Sequence, residues 1–139
     1  AAYKKYDVKS YYKSGLKEKP LQPRNIIFFN YGIESNKVND KNWKFDITYN
    51  RLGKQRLMLN PRDRSELTDP HYSLNSQITR VFSNKFEVYL GGENINNYKQ
   101  DNPIIMSNNP FDPNFDASIV HGPIFGSTYY LGLRYKILN

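Results

Sequence analysis

Hydrophobic and polar residues alternate at period two in several stretches of the chain, and that period predicts β-strands. The clearest is 43–50, where Trp43, Phe45, Ile47 and Tyr49 oppose Lys44, Asp46, Thr48 and Asn50. Over 128–137, Tyr129, Leu131, Leu133, Tyr135 and Ile137 share one face, and Thr128, Tyr130, Gly132, Arg134 and Lys136 the other. Residues 72–82 set Tyr72, Leu74, Ile78 and Phe82 against Ser73, Asn75, Gln77 and Thr79. Residues 86–93 set Phe86, Val88 and Leu90 against Glu87, Tyr89 and Glu93. A fifth strand, 24–33, is apolar on both faces through Ile26, Ile27, Phe28 and Phe29 before alternation resumes. A sixth is expected within 3–12. No stretch carries a 3.6-residue period, so the fold class is all-β.

The connections add a second pattern. Ser83-Asn84 reads as a two-residue hairpin, and 34–42 as a fairly short turn. By contrast, 52–71 and 94–127 are long and rich in Asn, Asp and Pro, and 13–23 is a further long connection if the first strand is present. Long and short connections therefore alternate, as in membrane barrels with short periplasmic turns and long external loops. Soluble domains rarely carry a structureless loop of about 30 residues. The last strand has the length, about 10 residues, that a tilted strand needs to cross a bilayer. Five or six strands cannot close such a barrel, whose smallest members have about eight. An open sheet in lipid leaves edge groups unsatisfied at several kcal/mol each. The expectation is an antiparallel meander completed by further strands, from the same polypeptide or a partner chain.

Composition narrows the picture. The chain is 38% hydrophobic with 12 Tyr and 8 Phe, and no apolar run is long enough for a helical span. Low hydropathy is compatible with a barrel, because only alternate residues meet lipid. There is no cysteine, which removes disulfides, thiolate metal sites and cysteine nucleophiles. The N-terminus lacks an apolar signal region, so an exported protein would be represented here by a mature or internal piece. Net charge is +7, with Lys4, Lys5, Lys9, Lys13, Lys17 and Lys19 in a basic segment, 1–23, ahead of the strands of 24–139. That segment reads as a solvated face. No nucleic-acid-binding module accompanies it, and no nucleic-acid partner is expected.

Few residues suggest chemistry. Asp112 to Asp116 place acidic or amide groups at alternate positions, like the start of a calcium loop. Ala117 and Pro123 stand where such a loop needs Gly and Glu, so an Asx turn is the better reading. His71 and His121 lie in separate loops without ligand partners, and no metal or cofactor is expected. Asp46, Glu87, Glu93 and Arg134 fall on polar strand faces, where a barrel would point them into its lumen. Arg51, Lys54 and Arg56, with Asp112 and Asp116, are assigned to external loops. The adjacent Gly91-Gly92 suggests a bulge or a close backbone approach. No catalytic motif is present, and an enzyme is not expected.

The runs FDITYNRLGKQRL (45–57), FEVYLGGENINNYKQ (86–100), NPII, NPFDPNFDAS, GPIFG and YYLGLRYKI, in that order, resemble the C-terminal end of TonB-dependent outer-membrane receptors. The variety resembled carries a carboxypeptidase-like N-terminal extension. The resemblance implies a plugged transmembrane barrel of about 22 strands in the outer membrane of a Gram-negative bacterium. Such a receptor imports a scarce nutrient: a siderophore, metal complex, vitamin or oligomer. Implied partners are the remaining barrel strands, the plug domain, outer-membrane lipid and lipopolysaccharide, and the barrel-assembly machinery that recognises the closing strand. Tyr129, Leu131, Leu133, Tyr135 and Ile137 would then face lipid. Two other readings are a soluble β-domain binding a glycan or peptide, and a client or subunit held by an outer-membrane assembly or secretion machine.

Overall fold

The structure is a computed structural model and describes residues 1–18, 22–55, 68–101, 103–104, 106–113, 115–118, 120 and 122–137. These residues form an all-β architecture. The strands are β1 (Ala2–Lys5), β2 (Lys9–Tyr12), β3 (Gly15–Glu18), β4 (Asn25–Glu34), β5 (Asn42–Leu52), β6 (His71–Val81), β7 (Phe86–Glu93) and β8 (Thr128–Tyr135). Six make one antiparallel meander in the order β1-β4-β5-β6-β7-β8, and β2 with β3 makes a separate hairpin.

The N-terminal region departs from expectation. The single strand anticipated over 3–12 is two strands: β1 pairs with β4, and β2 leaves the sheet. The connection anticipated over 13–23 holds β3, which returns along β2 through Lys13 and Ser14. Gly15 permits this reversal, because its φ of 99° lies in the left-handed region that side chains disfavour.

Both short turns sit at one end of the meander. Between β4 and β5, Asn39 and Asp40 both have positive φ, and Val38 and Lys41 exchange backbone hydrogen bonds of 3.0 Å. That geometry is the primed two-residue turn whose twist suits a hairpin. Between β6 and β7 the turn centres on Asn84-Lys85, one residue later than Ser83-Asn84. The Phe86 carbonyl accepts from both Phe82 and Ser83 N–H, so two residues oppose one, as in a β-bulge. The Ser83 hydroxyl oxygen also accepts from the Phe86 N–H at 3.1 Å. The longer connections, 6–24, 53–70 and 94–127, all leave the opposite end.

Directly paired residues in an antiparallel ladder share a face. The register therefore aligns Phe29, Tyr49 and Leu74 in one row, and Ile33, Phe45, Ile78, Leu90 and Leu131 in another. Val88 and Leu133 follow, then Phe86 and Tyr135. This apolar face spans the sheet and is not covered. Among the described residues no hydrophobic side chain is buried, and Leu131 and Leu133 are 74% and 68% exposed. A sheet that folds alone in water hides one face against a second layer, and here no described element supplies it.

The opposite face packs through tyrosine and glycine. Tyr130 lies across Gly91, its direct partner, and Tyr89 lies across Gly132. A Cβ at Gly91 or Gly132 would stand 2.3 Å from the facing ring. The Gly91-Gly92 pair is thus a close approach by side chains, with no bulge, since pairing to β8 continues through both. The two rings meet edge-on at 6.3 Å, so moving one disturbs the other. Gly132→Ala should destabilise the fold by about 1–3 kcal/mol through overpacking. The same change in a Tyr89→Ala background should be close to neutral, as denaturant unfolding of the four variants would reveal. Equal losses in both backgrounds would refute the steric account.

Candidate functional site

The sheet has two chemically distinct faces, and the placement of charge on each constrains what the chain does. On the apolar face the paired positions of the sheet carry charge near the ends. Arg51 stands opposite Tyr72 and Ile27 toward the long connections. It lies within β5, because that strand runs to Leu52, whereas the sequence suggested a loop. Arg80 stands opposite Trp43 toward the short turns. Its guanidinium sits 4.8 Å from the Trp43 ring centroid and 5.7 Å from that of Phe82, close enough for cation–π attraction. Phe82 and Phe86 meet at 5.7 Å beside it, so aromatic rings gather at this end.

Of the residues expected on the exposed face of the last strand, Tyr129, Leu131, Leu133 and Tyr135 lie in β8 and are exposed. Ile137 lies past the end of β8. The ladder persists only as far as the Lys136 N–H, which donates to the Lys85 carbonyl at 2.8 Å.

The polar face brings Asp46, Glu87 and Arg134 onto one surface, with Glu93 at its far end opposite Thr128. Glu87 and Arg134 are direct cross-strand partners, and Arg134 Nη1 donates to Glu87 Oε1. The buried Glu87 carboxylate is thereby compensated, which a buried charge requires. The Arg134 guanidinium also lies 5.8 Å from the Tyr89 ring centroid. Asp46 is exposed above Gly32. The Tyr130 hydroxyl donates to Gln77 Oε1, and Gln77 Nε2 to Thr79 Oγ1, each at 3.1 Å. The result is a hydrogen-bonded polar surface.

Asparagines tie the long segment after β7 to the sheet. The Asn94 side chain donates to the carbonyls of Tyr98 and Phe125, and its backbone N–H donates to Asn75 Oδ1. The Ser127 hydroxyl donates to the Asn94 carbonyl at 2.8 Å. Asn96 behaves like an added peptide unit: Leu74 N–H donates to its Oδ1 at 2.8 Å, and its Nδ2 donates to the Tyr72 carbonyl at 3.0 Å. Ile95 N–H donates to the Leu74 carbonyl between them. The pairing edge of β6 is thus continued past the point where β7 stops. Asn94 and Asn97 adopt positive φ, a conformation asparagine tolerates better than most residues.

The loop candidates are more modest. Lys54 is exposed just beyond β5, and Arg56, Asn114 and His121 lie outside the described residues. Asp116 Oδ1 accepts from the Ser118 N–H at 2.8 Å, closing an Asx turn. The Ser118 side chain first, and its N–H second, hold the Asp116 carboxyl below its ordinary value of 3.8. A carboxyl lowered in the folded state stabilises its turn above the unfolded pKa, and that contribution is lost as pH falls through the folded pKa. The Ser118 amide resonance should therefore keep its hydrogen-bonded shift to a pH below the ordinary carboxylate range, then move upfield. His71 stacks on Tyr98 at 5.4 Å. Burial first, then the charges of Asp69 and Asp101, raise the Tyr98 hydroxyl pKa. Among the described residues no cluster of three metal-ligating side chains occurs.

Three features escaped sequence reasoning: the Arg80 cradle, the Asn96 bridge and the tyrosine–glycine pairs. Each had a trace, respectively a charge on an apolar face, a run of asparagines, and glycines inside strands. No family model, curated protein or solved structure matches the chain.

Proposed function

We propose that this chain forms part of the wall of a transmembrane β-barrel in a Gram-negative outer membrane, at the C-terminal end of a TonB-dependent receptor. The observation that carries the reading is the uncovered apolar face running through successive strands. Lipid is a physically consistent cover, because alternate residues of a membrane strand face hydrocarbon while their neighbours face the lumen. Charge placement agrees. From Trp43 to Arg51 the strand rises about 27 Å at ~3.4 Å per residue. A tilt of about 40° reduces this to about 21 Å, against an apolar band of about 25 Å. Arg51 and Arg80 then fall near opposite interfaces, where a cation costs little. The 11-residue β5 and β6 match the length of tilted spanning strands.

The outer edge of β8 and the part of β4 beyond β1 are where further strands would pair. In this reading the chain's work is structural. Its apolar residues anchor the wall, Asp46, Glu87, Glu93 and Arg134 meet the lumen and plug, and the long connections shape the external mouth. The family assignment rests on the ordered motifs from 45–57 to the last strand. The asparagines of the GENINNY run tie the end of β7 to β6 and to the residues that lead into β8.

The test is the size and location of the native polypeptide that carries this sequence. It should fractionate with outer membranes at a mass several-fold above 16.4 kDa and include a plug domain. A monomer of 16.4 kDa in the aqueous fraction would exclude the proposal in favour of a soluble binding domain.

A further inference from the structure

We propose that Arg80 and the apolar groove beside it form a binding site for one phospholipid of the inner leaflet, whose phosphate meets the guanidinium. This rests on the membrane reading above, since the groove must face lipid. The short turns place Arg80 at the periplasmic end, where the leaflet is phospholipid.

The groove has a volume of about 460 Å³ and runs from Arg80, Trp43 and Phe82 across Ile78, Leu90 and Leu131. Its head and tail are chemically different. At the head, the Trp43 and Phe82 rings hold the guanidinium against the sheet. Among the described residues the Arg80 guanidinium has no carboxylate partner and no hydrogen bond. Its planar N–H donors are therefore available in the fork geometry that suits two oxygens of one phosphate. At the tail, aliphatic side chains offer a track for an acyl chain. A cation fixed by aromatic rings at the mouth of an aliphatic groove complements an anionic head on a hydrocarbon tail. A free anion would leave the groove unused.

The experiment uses the purified full-length membrane protein, stripped of lipid in detergent and followed by native mass spectrometry. Phosphatidylglycerol is titrated in, with diacylglycerol of the same chains and inorganic phosphate as comparisons. Wild type should retain one phosphatidylglycerol, and Arg80→Gln should bind it roughly tenfold more weakly or worse, the loss of a charge-assisted pair. Arg80→Lys, which keeps the charge and loses the fork, should fall between. Diacylglycerol should not be retained. Equal binding by Arg80→Gln, equal retention of diacylglycerol, or displacement of the lipid by inorganic phosphate would each overturn the site.

Quenching of Trp43, the only tryptophan of these 139 residues, by brominated-chain lipids separates the two levels, in a background whose tryptophans outside this segment are replaced by phenylalanine. Strong quenching with unchanged Arg80→Gln binding would remove this site and leave the membrane reading standing. Absence of quenching would remove both.

Discussion

Leu131→Arg should cost the membrane-inserted protein about 2–4 kcal/mol, the penalty for a cation near the middle of a lipid-facing strand. The size of that loss is informative because the structure alone suggests a trivial one. Leu131 is 74% exposed, and substitution of such a residue in water usually changes stability by about 0.5 kcal/mol or less. Leu131 lies in the same row as Ile33, Phe45, Ile78 and Leu90, one row inward from Arg80 and three from Arg51. Snorkelling toward the Arg80 end would bring the cost to the lower part of that range. Asp46→Arg, on the other face, places the same charge toward the lumen and should be near neutral. Reversible denaturant unfolding in lipid vesicles gives both numbers. A near-zero value for Leu131→Arg would mean that water covers the apolar face.

Asn96→Ala should cost about 1–3 kcal/mol, because one side chain closes two backbone groups at a sheet edge and one of them is part-buried. Its loss leaves the part-buried Leu74 N–H unpaired, at about 1–3 kcal/mol, while the exposed Tyr72 carbonyl turns to water. Exposure of the segment to water would reduce the cost, so the magnitude also reports how dry this end of the sheet is. Asn96→Asp divides the effect. A carboxylate still accepts from the Leu74 N–H and loses the donor to Tyr72, so it should recover part of the alanine loss. Hydrogen exchange at the Leu74 amide supplies a local readout: fast in Asn96→Ala, protected in Asn96→Asp. Unchanged protection in the alanine variant would refute the bridge.

The sequence makes the faces of β5 to β8 legible, because period two survives wherever a face separates two environments; β4, apolar on both faces through 26–29, shows its face only in the register. Trp43, Phe45, Ile47 and Tyr49 need no tertiary information to be placed together. The alternation of long and short connections is equally legible. Strand ends are less so. Arg51 continues the alternation of β5 in a residue type that looks like a loop, and only the register to Tyr72 and Ile27 places it in the sheet.

The β2–β3 hairpin is obscure for a different reason. Lys9 pairs with Glu18, Ser10 with Lys17 and Tyr11 with Leu16, in strands too short to show a period, and the main trace is Ser14-Gly15 at the turn. The shifted turn at Asn84-Lys85 depends on a bulge, whose extra residue leaves the composition unchanged. Arg80 and Asn96 escape because their partners are remote in sequence: Trp43 for one, Leu74 and Tyr72 for the other. What a charge on an apolar face or an asparagine in a loop does is decided by register, and register is a property of the folded sheet.

Single cysteines along β8 test the central claim most directly: these 139 residues contain no cysteine, and those elsewhere in the polypeptide are replaced by serine. In the assembled protein in native membranes, cysteines at Leu131 and Leu133 should resist a water-soluble maleimide and react with a membrane-permeant one. Cysteines at Thr128, Tyr130 and Arg134 should react with the water-soluble reagent. Rapid labelling of 131 and 133 from water, at the rate their exposure permits, would contradict a lipid-facing wall.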